Sequence, residues 1–222
     1  MTATRSGFRL QGWPLFFALA LLVLLMSAAL LTAHSDPVAG VRSVIRATAR
    51  SSFVLFLSVF VASSLVSLVP NELTRALLRE RRYLGLAFAF SHLVHAIAIV
   101  RLGQLDPGFW PGRSALTNVP GSLGYAFIVL LSATSFHALA KRMSAQAWKR
   151  LHTAGVWVIA LIFALSYFKR IPMNALYALP FALMCAAAAV RAAGKWAQAD
   201  KRRLARQRRA PSPLSTNLES QA

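Results

Sequence analysis

The chain has 222 residues, 57% of them apolar and 14% charged, with a mean hydropathy of +0.54 and 25 Lys plus Arg against 6 Asp plus Glu. A water-soluble domain carries about a quarter charged residues, so this composition excludes one and makes lipid the expected solvent. The single cysteine, Cys185, excludes an internal disulfide framework.

In chain order, apolar runs fall at roughly Trp13–Ala33, Phe53–Val69, Tyr83–Val100, Leu123–Ala140, Ala154–Phe168 and Met173–Val190. Most approach the ~20 residues that cross ~30 Å of hydrocarbon. Turn-forming clusters separate them: Ser35-Asp36-Pro37, Pro70-Asn71-Glu72, Asp106-Pro107-Gly108, Asn118-Val119-Pro120-Gly121 and Ile171-Pro172. Pro180 inside the last run predicts a kink. The first run follows Arg5 and Arg9 as a secretory signal would, but it is longer than the ~7–15 apolar residues of a signal core and reads as a retained helix.

The expected fold is therefore an all-α membrane protein, a bundle of about six transmembrane helices over residues 1–195, followed by a basic, disordered cytoplasmic tail over 196–222. Of the 25 Lys and Arg, 18 fall before the first span, in the second and fourth connections and from Arg191 onward, against 7 in the other connections. By the positive-inside rule both termini face the cytoplasm. A nucleic-acid partner for the basic run Lys201–Arg209 is set aside, because a polybasic segment just after a final span meets anionic lipid first.

Ionisable groups within the bilayer are costly, which makes the histidines the informative residues. His92 and His95, three apart in the third run, share a helix face with Phe88, Ser91 and Ala98. Small residues beside imidazoles suit haem held inside a bundle, and suit equally two histidines hydrogen-bonded to neighbouring helices. His152 opens the fifth span, one turn before Gly155, where a helix or cofactor can approach closely. His137, near the end of the fourth, is a candidate ligand or an interfacial residue. His34 reads as interfacial, and Glu72 and Glu80 as solvated ion-pair partners among arginines. Arg81 is a candidate for steering a haem propionate, or else a topology charge. No phosphate loop, zinc-spaced Cys/His cluster or nucleophile elbow appears, so electrons would come from another protein.

Arg81-Arg82-x-Leu84-Gly85-Leu86 leading to His95, then Thr134-Ser135 and Trp148-Lys149-Arg150-Leu151-His152, resemble the ferric-reductase-like transmembrane domain. Within it they most resemble the haem-binding membrane subunit of the bacterial periplasmic methionine sulfoxide reductase system. The resemblance implies haem b, a cytosolic or flavin electron donor with FMN as a further cofactor, a periplasmic reductase as acceptor, and a place in the bacterial inner membrane. It further implies iron ligation by His95 toward the outside and His152 toward the cytoplasm. One departure stands out: the family's second histidine on the fifth helix, thirteen residues after the first, is Leu165 here. That leaves a five-coordinate or differently ligated outer haem, an inner haem on His152 with His137 or Arg81 nearby, or loss of the outer haem. A non-redox transporter or assembly factor on the same fold is the reading from a different class.

Overall fold

The structure is a computed structural model that describes residues 10–111 and 114–209, without the side chains of 115–117, 206, 208 and 209. Arg5, Arg9 and Arg113 of the charge count, and all residues after 209, lie outside this description.

Eight α-helices occur among the described residues: α1 (Trp13–Thr32), α2 (Pro37–Leu68), α3 (Glu72–Arg79), α4 (Arg81–Leu105), α5 (Ala115–Ala133), α6 (His137–Ala140), α7 (Ala145–Phe168) and α8 (Ala178–Arg209). A 3-10 turn at Ala175–Tyr177 leads into α8. Five segments are long and apolar enough to cross a membrane, namely α1, α2, α4, α7 and Ala175–Ala205, and α5 supplies a shorter apolar helix at Asn118–Ala133. The protein is an all-helical membrane bundle.

The turn clusters act as helix caps. Asp36 accepts from the amides of Val38 (3.0 Å) and Ala39 (3.1 Å), and Pro37 occupies the first turn, where a missing N–H costs nothing. Asn71 and Thr74 form a reciprocal capping box on α3, and Ser144 caps α7 through the Ala147 amide.

The structure moves several expected boundaries. Helix α2 begins sixteen residues before the apolar run at Phe53, because Val41, Val44, Thr48 and Ser52 already form a buried stripe while Arg42, Arg46 and Arg50 lie on an exposed one. Its 32 residues span ~48 Å, longer than the ~30 Å hydrocarbon layer, so its arginine-bearing end extends beyond it. Asn118-Val119-Pro120-Gly121 is helical, with Pro120 inside α5. Pro180 is the third residue of α8, within the turn whose amides have no intrahelical acceptor, so it need not kink the helix. Helix α8 continues through residue 195 to Arg209. Glu80 is buried rather than solvated, and accepts from the Gly12 amide at 2.7 Å and from Arg79 Nε at 3.3 Å.

Helix α2 is the centre of the bundle and packs chiefly on α4, α8 and α1, while α7 joins α5 to α8. Part of its contact with α4 is made by small polar residues. Ser52 Oγ donates to Ser91 Oγ (2.9 Å), Ser51 Oγ lies 2.9 Å from the same atom, and Ser91 Oγ reaches the Thr48 carbonyl at 3.3 Å. Where lipid is the solvent, apolar burial gives helices little reason to associate, and close approach with interhelical hydrogen bonds supplies it instead. Toward the basic end the core turns aromatic, with Phe53, Phe56, Phe60, Phe88 and Phe163 buried together.

Candidate functional site

A cavity of about 540 Å³ opens at the basic end of the bundle, between the first turns of α4 and α7, the end of α5, α6, and α8 at Arg191. Both His137 and His152 line it, as do Arg81, Arg82, Lys149 and Arg191, and no Asp or Glu does. Gly85 forms part of the wall, and a Cβ there would meet nothing within 4 Å, so the glycine leaves open space where a flat group could lie.

His152 is held on two sides. Its ring stacks on Trp148 with centroids 4.0 Å apart and planes 26° from parallel. Its Nε2 lies 3.0 Å from Thr134 Oγ1, whose proton goes to the Leu130 carbonyl at 2.7 Å. Thr134 therefore accepts from Nε2–H, which assigns the lone pair to Nδ1. Trp148 is fixed in turn by its Nε1–H on the Thr134 carbonyl (3.0 Å). His137, exposed at the start of α6, has no such support. Gly155 serves helix packing rather than a cofactor, since a Cβ there would stand 2.9 Å from Phe127 of α5.

His92 and His95 do not line this cavity. They lie deeper along α4, their rings 5.3 Å apart, on the expected face with the buried residues Phe88, Ser91 and Ala98. The Nδ1 of His95 sits 3.0 Å from Thr48 Oγ1 and 3.1 Å from the Ile45 carbonyl. Thr48 spends its own proton on the Val44 carbonyl (2.7 Å), so His95 Nδ1 is the donor and Nε2 carries the lone pair. The rings of Phe88, Tyr125 and Phe163 stand within 6.0 Å of His92 and close that side of the pair. Phe163 also fills the space against Phe53 and Phe56, with centroids at 5.4 Å from each. Leu165, where the expected second ligand would be, is 45% exposed and turned away from this cluster.

The profile of the family described as the ferric reductase like transmembrane component matches residues 48–163, just over half of the chain. The chain belongs to this family. Membership makes it a multi-pass membrane component of an electron-transfer family whose domains generally bind haem. The ferric-reductase-like match takes in all four of His92, His95, His137 and His152, and leaves out α1 and α8. No curated protein and no solved structure matches the chain.

For a ferric-reductase-like domain the test is whether haem fits the residues present. At the basic end it fits: there is a cavity, an oriented imidazole, an open glycine wall and an all-cationic rim for carboxylates. Beside His92 it does not, because packed rings occupy the space a second macrocycle would need. The signals that sequence reading missed are Arg191, counted as a tail charge when it lines the cavity, and the joint hold of Trp148 and Thr134 on His152. Both threonine and tryptophan stood in the quoted motifs, so the hold was present as a pattern but not as a contact.

Proposed function

We propose that the chain is a haem-b-binding membrane electron-transfer subunit with one haem, in the cavity at the basic end, which the charge distribution assigns to the cytoplasm. His152 is the residue that would hold the iron, and His137, which lines the same cavity, is the second residue that could do so. The observation that carries the reading is the coincidence, in one cavity, of an oriented imidazole with four cations and no carboxylate.

A b-type haem bound there supplies a one-electron couple whose potential is set by ligands and burial. The chain's residues supply the rest. Trp148 and Thr134 fix the ring plane and tautomer of His152, the outer-shell support that metal-bound imidazoles ordinarily have. Arg81, Arg82 and Lys149 offer charge to carboxylates at the mouth. Phe88, which lines the cavity and lies 5.2 Å from His92, excludes water between the cavity and the deeper histidine pair. His95, a ligand by resemblance, works here as a hydrogen-bonded strut between α4 and α2.

Electrons enter from a cytosolic or flavin donor, FMN included, and leave to an extracytoplasmic acceptor. A methionine sulfoxide reductase partner in a bacterial periplasm is the specific form that the Arg81–His152 motifs favour. The domain reading keeps 1–195 as the membrane unit and 196–222 as a basic tail facing anionic lipid. The filled space beside His92 favours a second reading, a non-redox protein that keeps the fold with its haem ligation lost. An absorption spectrum of the purified chain separates them: a Soret band, or uptake of added haem, supports the first, and a colourless protein that takes up none supports the second.

A further inference from the structure

Among the described residues Arg191 has no ion-pair partner. It belongs to α8, outside the stretch matched by the family profile, yet it lines the same cavity as His152. Its Nη1 donates to the Phe60 carbonyl, and its Cζ lies 4.7 Å from the centre of the Phe60 ring and 5.8 Å from that of Trp157. These contacts offset part of the cost of taking a guanidinium out of water. Its Nε, however, is buried and has no hydrogen-bond partner. The ion pairs among the described residues, Arg42–Asp106 and Arg79–Glu80, use neither Arg191 nor any carboxylate of the cavity wall.

A charge placed only to set topology would sit in the interface, solvated. Arg191 instead stands at the wall of a cavity whose other charged lining residues, Arg81, Arg82 and Lys149, are also positive. Such a group attracts an anion, and the planar guanidinium fork matches a carboxylate. We propose that Arg191 is the charge anchor for a carboxylate of the ligand that fills this cavity. Arg191 is then a positioning residue that fixes the ligand's rotation relative to His152. The proposal rests on the haem reading of the cavity and names the group that recognises the acidic edge of that ligand.

The test uses the full chain in detergent, loaded with iron protoporphyrin IX or with its dimethyl ester, which lacks the carboxylates. The wild type is expected to bind the free acid about tenfold more tightly than the diester. In Arg191→Gln most of that discrimination should vanish through weaker binding of the acid alone. The midpoint potential of the bound haem should fall, because removing a nearby positive charge favours the ferric form. Arg191→Lys, which keeps the charge without the fork, should lose about threefold of the discrimination. Wild-type discrimination retained in both variants, or in Arg191→Lys alone should the Gln variant not fold, overturns the proposal. A wild type that binds acid and diester equally overturns it too. If the wild type binds neither porphyrin, the haem reading itself fails and the anchor falls with it.

Discussion

At the scale of single residues, the account depends on how His152 is held. Thr134 takes its Nε2–H and Trp148 stacks on its face, so the ring is oriented before any ligand arrives. Thr134→Val removes the acceptor while keeping the shape, and should weaken haem binding by about tenfold, as loss of outer-shell partners does at other metal sites. Titration of the purified variant with haem measures this. The residue scale is also where the sequence was least complete. The motif around Trp148 and His152 was readable, but Arg191 was indistinguishable from the topology charges that follow it, because a charge count carries no burial. The filling of the space beside His92 by Phe163 was equally hidden: a phenylalanine in an apolar run reads as lipid-facing or core with equal ease.

Among elements, the bundle is held by close contacts more than by apolar area. Ser91 is fully buried between α4 and α2 and takes part in three hydrogen bonds across that interface. Ser91→Ala should cost about 1–2 kcal/mol of stability, seen as a lower unfolding temperature in detergent. Gly155→Val should cost about 1–3 kcal/mol, since its side chain must push Phe127 and Leu131 and spread α5 from α7. Because Leu131 also lines the cavity, the same variant should alter haem affinity, whereas Ser91→Ala, at a contact away from the cavity, should leave it unchanged. Most elements were legible from hydropathy and turn residues, since Asp36-Pro37, Asn71 and Ser144 all signal helix starts. The early start of α2 escaped because Arg42, Arg46 and Arg50 break the apolar run. Their four-residue spacing on one exposed stripe nevertheless marks a helix.

For the whole molecule, the two halves of the bundle differ in kind. The basic end has a cavity with charge and imidazole, while the half around His92 and His95 is packed with rings and hydroxyls. From Arg81, in the cavity wall, to His95 the unbroken α4 climbs ~21 Å, which sets the deeper histidine pair away from the basic end. With the one haem proposed for the basic end, reduction from that side should be fast. Oxidation by an impermeant acceptor on the other side of a liposome should be many times slower, and stopped-flow absorbance with oriented vesicles compares the two rates. Motif spacing in the sequence preserves position along a helix, but does not record how the space around each histidine is filled.

The most direct measurement is the haem-to-protein ratio of the purified chain, with the Soret spectrum repeated for His152→Ala and His95→Ala. The account predicts about one haem per chain, lost in His152→Ala and retained in His95→Ala. Two haems per chain, or a pigment lost with His95 and kept without His152, would contradict it.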